Sequence, residues 1–313
     1  GPGATNAITG ILGGWMDSIP MLVFSGQARY ATTVPASGLP LRSMGVQECN
    51  IVPVVTPLTK YAVMVIRPEE IRYHLEKALY LAVNGRPGPV WLDIPLDVQG
   101  AVIETEDLKA YDPSENPEQI PAEIPEETIK KILDKIVESS RPVLFPGNGV
   151  RLSGAIEDFH RLADVLGVPV ITGMSSVDAI ESDHPYFVGR SGSTGTRPGN
   201  FALQNSDLLL SIGNRQGFAQ TGFQFQDWAR ESYTILNDID ENELKKPSLH
   251  VSLPVCGDAG ELIRGLLKAA GERGADREHP LFRGEKWIEQ CRLWREKYPV
   301  VTAKHYETIE EGC

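Results

Sequence analysis

The first six residues of the chain combine glycine, proline and polar side chains in a pattern that suits a tight turn against a flat ligand or another chain. They are Gly-Pro-Gly-Ala-Thr-Asn, and small and apolar residues follow them up to Leu12. Glycine lets a backbone run close to a ligand, and Thr5 or Asn6 can cap the helix that follows. Since the strand that should feed such a turn has no residues before Gly1, we expect that residue 1 is not the natural start of a domain.

Two glycines and an aspartate lie at the predicted ends of three strands in the second half of the chain. Gly147, Gly213 and Asp238 each belong to a short polar or glycine-rich stretch that follows an apolar run. In a doubly wound parallel sheet, ligands bind outside the carboxyl ends of the strands. The pattern therefore predicts a ligand site at this edge of the second half of the chain.

Cysteine and histidine are not spaced for a metal site. The sequence has no Cys-x-x-Cys pair, and its six histidines lack ligand spacing. Scattered cysteines suit reduced thiols, so we expect a cytoplasmic protein with neither a disulfide framework nor a zinc site. The four cysteines are Cys49, Cys256, Cys291 and Cys313.

Composition excludes two classes of partner. A formal net charge of -12 argues against nucleic acid and anionic membrane surfaces, because both attract basic proteins. The apolar runs are far too short to span a bilayer, and no signal peptide opens the chain. We therefore expect a small-molecule ligand, no nucleic acid and no membrane.

Alternating helix and strand signals predict an α/β fold with parallel sheets. Residues 1–100 form one α/β region, and prolines and acids make residues 101–125 a solvated, semi-extended linker. Residues 126–272 repeat the helix and strand alternation and predict a doubly wound sheet. Residues 273–313 are predicted to contain a helix.

The order and spacing of several short motifs resemble those of thiamine-diphosphate enzymes of the acetolactate synthase type. In the first hundred residues they are residues 1–6, Asp17-Ser18-Ile19-Pro20, Gly26-Gln27, Gln47-Glu48, Thr59-Lys60, Gly85-Arg86-Pro87-Gly88-Pro89 and Asp93-Ile94-Pro95. In the second half they are Gly147-Asn148-Gly149-Val150, Gly213-Asn214-Arg215, Asp238-Ile239-Asp240 and Gly257-Asp258.

The resemblance implies a division into domains. Residues 1–100 are the C-terminal half of a pyrimidine-binding α/β domain, 126–272 a Rossmann-like central domain, and 273–313 a helical linker toward a diphosphate-binding domain. In the family, the glutamate that activates the aminopyrimidine lies upstream of the Gly-Pro-Gly turn, and a Gly-Asp-Gly turn with a downstream Asn holds the metal. The resemblance therefore implies thiamine diphosphate and Mg²⁺ only in the complete protein, and this chain alone is expected to be inactive.

The resemblance also implies a reaction and an assembly. The complete protein is expected to decarboxylate pyruvate, a 2-oxo acid, and to form a carbon–carbon bond in branched-chain amino acid biosynthesis, as a homodimer or homotetramer. Val46 stands where the family has an aromatic residue. This departure leaves a decarboxylase or another carboligase as an alternative, and a non-catalytic nucleotide-binding or assembly module is a third.

The site residues follow from the matched positions. The resemblance implies catalytic or substrate-channel roles for Gln47, Gln27 and Lys60, although Lys60 also suits a surface cation at the start of a strand. It places Gly1, Pro2, Gly3 and Asn6 beside the aminopyrimidine. The positions that hold FAD in flavin-binding members match Ser18, Arg86, Gly147, Arg215, Asp238, Ile239, Gly257 and Asp258. The other expected cofactor-binding residues are Asn148, Gly149, Gly213 and Asn214, which belong to the same matched motifs. No residue is expected to bind a metal.

The central region departs from the flavin-binding pattern in two places. After Arg215 the chain lacks two acids and a second arginine of the family run, and Ser193-Thr194-Gly195 replaces Met-His-Gly. Three alternatives therefore remain open for the second half of the chain. It binds FAD, it binds an adenine nucleotide, or it binds no ligand and its glycines have only a structural role.

Overall fold

The computed structural model describes residues 1–117 and 123–305. These residues form two compact units, one on each side of the gap. Part of the predicted linker, residues 118–122, and the end of the predicted helical segment, residues 306–313, lie outside the described residues. Both units are mixed α/β structures with parallel sheets, so the predicted fold class is confirmed.

The first unit is a three-stranded parallel sheet with the order β1-β3-β2. A 3-10 helix at Pro2–Ala7 precedes its first α-helix. The elements in chain order are α1 (Ile8–Met16), β1 (Met21–Gln27), α2 (Val34–Ser37), α3 (Val52–Val55), β2 (Tyr61–Met64), α4 (Ile71–Val83), β3 (Pro89–Pro95) and α5 (Leu96–Gln99).

The central strand β3 supplies both cores of this unit. Its side chains alternate between the two faces of the sheet, as in any strand. Val90 and Leu92 pack against α4 on one face. Trp91 packs with Ile11 and Val55 on the other face. Because helices cover both faces, β3 is an almost continuous apolar run, which is typical of parallel sheets.

Tyr111 holds part of the predicted solvated linker against α4. It is only 8% exposed, and its backbone N–H donates to the Glu76 carboxylate over 2.8 Å. Its ring contacts the rings of Tyr73 and Tyr80, with centroids 5.8 and 5.6 Å away, and Lys77 Nζ lies 5.6 Å from its centroid. The expectation of a solvated, semi-extended linker is therefore wrong at this one residue, because burial of the aromatic ring outweighs the polar composition around it.

The second unit is a six-stranded parallel sheet. Its first elements are α6 (Glu126–Glu138), β4 (Pro142–Pro146), α7 (Gly149–Leu152), α8 (Ile156–Leu166), β5 (Val170–Thr172) and β6 (Phe187–Arg190). They are followed by α9 (Arg197–Asn205), β7 (Leu208–Ile212), α10 (Phe218–Thr221), β8 (Tyr233–Asp238), α11 (Glu241–Lys245), β9 (Leu253–Cys256), α12 (Ala259–Glu272) and α13 (Glu285–Lys297).

The strand order β6-β5-β4-β7-β8-β9 makes this sheet doubly wound. The chain builds outward from β4 to β6, and then returns to the other side of β4 with β7. The neighbouring strands β4 and β7 therefore mark the point where the winding reverses. In such sheets the loops after these two strands border the ligand crevice.

Helix α6 shows how sequence periodicity produces the second core. Ile129, Ile132, Leu133 and Ile136 recur at helical spacing, and all four are buried. Acids in the first turn and a lysine in the last turn complement the helix dipole. Among the described residues, no helix is both long enough and apolar enough to cross a bilayer.

Replacement of Ile132 should measure this core directly. Ile132 is completely buried, whereas Val137 on the same helix is 55% exposed. We expect Ile132→Ala to lower the free energy of unfolding by about 2–5 kcal/mol, and Val137→Ala to change it by about 0.5 kcal/mol or less. Urea denaturation followed by circular dichroism provides the measurement. Equal effects of the two substitutions would contradict the assignment of the core face.

Candidate functional site

Residues predicted to lie beside a cofactor meet Gln47 at the carboxyl edge of the first sheet. The Gly1 nitrogen donates to the Gly26 carbonyl over 2.5 Å, next to the end of β1. A Cβ atom on Gly1 would overlap the Gln47 carbonyl oxygen, so only glycine fits there. Pro2, Gly3 and Asn6 are exposed at this edge, and a Cβ on Gly3 would meet no atom within 4 Å.

Gln47 lies in a turn with a left-handed backbone. Its φ angle is 56°, and its side chain is exposed. Its neighbour Val46 is 90% exposed. Non-glycine residues with positive φ are uncommon and store a small strain, which favours a functional or a packing reason for the conformation.

Glu48 orders the loop in front of Gln47. Its carboxylate accepts hydrogen bonds from the backbone N–H groups of Val34, Met44 and Gly45, over 2.6, 2.8 and 3.1 Å. Partial burial raises the pKa of this carboxyl, but the three backbone donors outweigh the burial, so the pKa of Glu48 is lower than its ordinary value of 4.5. The charged form of Glu48 therefore stabilises the loop.

Gln27 is buried at the end of β1 and bonded on all sides. Its Nε2 donates to the Cys49 carbonyl over 2.6 Å and to Asp93 Oδ2 over 3.0 Å. Its Oε1 accepts from the Ala28 N–H over 3.0 Å. Asp93 is completely buried and also accepts from Ser25 Oγ over 2.6 Å. A carboxylate near the end of a buried strand predicts buried hydrogen bonding for Asp93, and the structure agrees. Ser25 is not among the residues predicted from the sequence, although a polar side chain beside such a strand indicates a network of this kind.

Lys60 lies at the amino ends of the strands, whereas Gln27 lies at their carboxyl ends. Its backbone N–H donates to the Pro89 carbonyl over 2.8 Å, and its Nζ donates to the Asn84 carbonyl over 2.5 Å. Gln27 pairs instead with Pro95. Pro89 and Pro95 are six residues apart on β3, which corresponds to about 20 Å along the strand. The structure of this unit therefore does not bring together the two predicted channel residues.

Ser18 and Arg86 also lie at the amino edge of the first sheet. Arg86 Nε donates to Ser18 Oγ over 2.9 Å, and Ser18 has a left-handed φ of 57°. A Cβ on Gly88 would lie 3.3 Å from the Lys60 side chain, so the stretch after Arg86 packs against Lys60. Two of the predicted cofactor positions thus accompany Lys60 and stand apart from Gln47.

Glycines at the winding reversal of the second sheet let two loops touch. Gly147 N–H donates to the Ile212 carbonyl over 2.8 Å, and Gly149 N–H donates to the Gly213 carbonyl over 2.9 Å. A Cβ on Gly147 or Gly149 would overlap the backbone of Gly213 or Asn214. These glycines therefore serve close backbone contact between the loops, whether or not a ligand binds beside them.

Asn237, in β8, links the loop after β7 to the end of β9, and it is not among the residues predicted from the sequence. Its Oδ1 accepts from Gly213 N–H over 3.2 Å, and its Nδ2 donates to the carbonyls of Val255 and Gly257 over 3.1 and 3.0 Å. The side chain is completely buried. Gly213 has a φ of 58°, a conformation that glycine adopts without strain.

The remaining predicted residues lie at the ends of β7, β8 and β9, at the same edge. Lys246 Nζ donates to the Arg215 carbonyl, and Asp238 Oδ1 accepts from Asp240 N–H over 3.0 Å. Asp258 caps α12 by accepting from Glu261 N–H over 3.0 Å. Residues placed here by the structure are Gly147, Asn148, Gly149, Gly213, Asn214, Arg215, Asp238, Ile239, Gly257 and Asp258.

Two buried polar atoms in this part of the second unit have no hydrogen-bond partner among the described residues. They are Thr172 Oγ1, at the end of β5, and Gln216 Oε1. Gln216 has a left-handed φ of 51°, and its Nε2 donates to Ser211 Oγ over 2.8 Å. Buried polar groups are normally satisfied, so such atoms are expected where a water or a ligand completes the site. Within residues 1–117 and 123–305, no group of three or more His, Cys, Asp or Glu side chains is arranged to hold a metal ion.

Comparison with known proteins identifies one family. Residues 129–266 match the family model described as thiamine pyrophosphate enzyme, central domain. The acetolactate synthase large subunit of Corynebacterium glutamicum is 34% identical over 304 residues, which cover 96% of this chain and 45% of that protein. A probable acetolactate synthase large subunit of Methanocaldococcus jannaschii is 35% identical over 280 residues, 86% of this chain and 44% of that protein.

A third relative extends the similarity. The acetolactate synthase isozyme 3 large subunit of Escherichia coli is 29% identical over 317 residues, which cover 99% of this chain and 52% of that protein. The chain thus spans about half the length of the curated relatives it matches. These similarities confirm the resemblance that the motifs predicted.

Neutralisation of Glu48 should loosen the loop that it holds. A glutamine at this position keeps one acceptor oxygen and loses the charge, so Glu48→Gln weakens three hydrogen bonds to the backbone. At neutral pH we expect trypsin to cleave after the exposed Arg42 about 10- to 100-fold faster, as the loss of a charge-assisted hydrogen bond predicts. The exposed Glu104→Gln is the matched control, and equal cleavage of both variants would contradict the role of Glu48.

The stabilisation that the charged Glu48 carboxylate provides should be lost in acid. Because the folded-state pKa of Glu48 is lowered, its stabilisation is complete above the ordinary pKa of 4.5 and is lost as the pH falls through the lower folded value. The difference in unfolding free energy between the parent chain and Glu48→Gln should therefore shrink below pH 4.5. Urea titrations between neutral and acid pH measure this difference.

Proposed function

We propose that the chain is part of a thiamine-diphosphate-dependent carboligase of the acetolactate synthase kind, because residues 129–266 match the family model of a thiamine pyrophosphate enzyme central domain. The observation on which the proposal rests is the similarity to acetolactate synthase large subunits over 96% of the chain. The proposed substrate is pyruvate, a 2-oxo acid, and the proposed reaction joins two such molecules with loss of CO₂.

The carboxyl edge of the first sheet supports a thiamine site. Pro2, Gly3 and Asn6 are exposed there, and Gly1 lies against the backbone of Gln47. The residues fit a flat ring, because the open side of Gly3 leaves room that a larger side chain would fill. When bound, thiamine diphosphate supplies the electron sink for the carbanion chemistry.

The chain's own residues would orient the reactants. The exposed Gln47 amide can donate a hydrogen bond to a substrate carboxylate or carbonyl oxygen. The ordered loop held by Glu48 would limit the access of water to this edge. We place Mg²⁺, with the diphosphate, on parts of the complete protein other than the described residues of this chain.

Exposed apolar side chains support a homodimer or homotetramer. Leu22 and Phe24 on the edge strand β1 are 39% and 52% exposed. Edge strands with exposed apolar residues are usually covered by another segment or chain. The proposed assembly would cover this face.

Product analysis tests the proposed reaction. We expect the intact gene product that contains this chain, supplied with pyruvate, thiamine diphosphate and Mg²⁺, to form acetolactate. Formation of acetaldehyde instead would identify a decarboxylase, the alternative that Val46 favours. Absence of any product from pyruvate would contradict both.

Substitution of Gln47 tests its role in that reaction. We expect Gln47→Gly to lower kcat/KM about 10- to 100-fold, because glycine keeps the left-handed turn but removes the amide. The control is Gln47→Asn, which keeps an amide, tolerates the same backbone and should retain more activity. Full activity of the glycine variant would show that only the backbone of this turn matters.

We also propose that FAD, or another ligand with an adenine nucleotide, binds at the carboxyl edge of the second sheet. The winding reversal, the close glycine loops and the unpartnered Thr172 and Gln216 oxygens support a ligand there. The Arg215 guanidinium would donate to a phosphate, and the Asp238 carboxylate, at the end of β8, would accept from ribose hydroxyls.

Flavin release tests this second site. We expect the purified chain to release a flavin on denaturation, or to bind FAD or an adenine nucleotide in a fluorescence titration. Arg215→Ala should weaken binding about 10- to 100-fold, whereas Arg292→Ala, an exposed side chain on α13, should leave it unchanged. A colourless chain that binds neither compound would contradict the proposal and leave the glycines with a structural role.

A further inference from the structure

Asp93 is a buried carboxylate in a strand that is otherwise apolar. It is completely buried on β3, and the preceding residues Val90, Trp91 and Leu92 are buried hydrophobic side chains. Burial of a carboxylate is costly unless hydrogen bonds compensate it. Ser25 Oγ and Gln27 Nε2 provide such bonds, over 2.6 and 3.0 Å. An apolar residue would be cheaper to bury, so the carboxylate needs a further reason.

The carboxylate determines the orientation of the Gln27 amide. A carboxylate only accepts hydrogen bonds, so Gln27 must turn its NH₂ group toward Asp93. The same NH₂ group then reaches the Cys49 carbonyl over 2.6 Å. The opposite orientation would place the amide oxygen against both the Asp93 carboxylate and the Cys49 carbonyl, which is repulsive.

The oriented Gln27 amide contacts both the backbone carbonyl and the backbone N–H of Cys49. Gln27 Oε1 accepts from Ala28 N–H over 3.0 Å and lies 3.5 Å from Cys49 N. Cys49 follows Gln47 by two residues, so this clamp ties the turn of Gln47 to the end of β1. Gly1 also contacts that turn through the Gln47 backbone.

We propose that Asp93 is a positioning residue for Gln47 and that it acts through the amide of Gln27. Gln27 then links the sheet to the turn and does not itself contact the substrate. This inference rests on the proposed function of Gln47, and it assigns to the first sheet a polar linkage of three residues, Asp93, Gln27 and Cys49.

The test compares Asp93→Asn with Ser25→Ala in the 313-residue chain. An asparagine has one acceptor oxygen where the carboxylate has two, so Ser25 Oγ and Gln27 Nε2 compete for it and the orientation of Gln27 is held less firmly. Ser25→Ala removes the other hydrogen bond to Asp93, and the acceptor of Trp91 Nε1, but leaves Gln27 and Cys49 in contact. Both variants remove hydrogen bonds from the same buried cluster, so they separate positioning from general stability.

Hydrogen exchange reports the result peptide by peptide. We expect amide exchange in the segment 28–50 to become at least about tenfold faster in Asp93→Asn, and to stay within about twofold of the parent chain in Ser25→Ala. The β4 to β9 sheet serves as an internal reference. Equal acceleration in the two variants, or none in Asp93→Asn, would overturn the proposal.

A second variant keeps the test valid if Asp93→Asn does not fold. Gln27→Met keeps the length of the side chain, removes its hydrogen bonds and leaves the contact between Ser25 and Asp93. It should accelerate exchange in the same segment by the same factor, and unchanged exchange would also overturn the proposal.

Kinetics of the intact gene product separate this inference from the proposed function. If Asp93 acts on Gln47, adding Asp93→Asn to the Gln47→Gly variant should lower kcat/KM by less than about twofold further, because the two residues then act as one unit. A fully additive loss would contradict the link to Gln47. Loss of loop protection without any effect of Gln47 on activity would support the linkage and contradict the proposed function instead.

Discussion

The parallel pairing of β1 with β3 places Ser25 beside Asp93 and Gln27 beside Pro95. This register brings a buried carboxylate within reach of two side chains from the neighbouring strand. A shift by one residue would turn Gln27 to the other face of the sheet and leave Asp93 buried without that donor. The organisation of the whole carboxyl edge, including the turn of Gln47, therefore depends on this pairing.

The second unit depends on a comparable contact between backbones. Gly147 and Gly149 touch the backbone of Gly213 because none of them has a side chain. Asn237 then satisfies the N–H of Gly213 and the carbonyls of two residues near the end of β9. Glycines at such a crevice can serve the close approach of a ligand or the close contact of two loops. The structure demonstrates the loop contact, and it is compatible with the approach of a ligand.

Much of the fold follows from local sequence. The α/β class agrees with prediction, and the buried face of α6 and the cap of α12 by Asp258 follow from periodicity and capping, which act over a few residues. The position of Tyr111 does not follow, since its burial depends on rings of α4 some thirty residues earlier. The assignment of domain names and site roles remains a prediction that rests on the resemblance.

The sequence by itself determined the resemblance to thiamine-diphosphate enzymes, through ordered motifs that the comparisons confirm, and it determined which residues are site candidates. Only the tertiary structure decided which of them meet. Gln27 and Gln47 share one edge of the first sheet, whereas Lys60 lies about 20 Å away at the other edge. The physical reason is that strand register and loop contact arise from packing between residues far apart in the chain, and this packing leaves little trace in local sequence patterns.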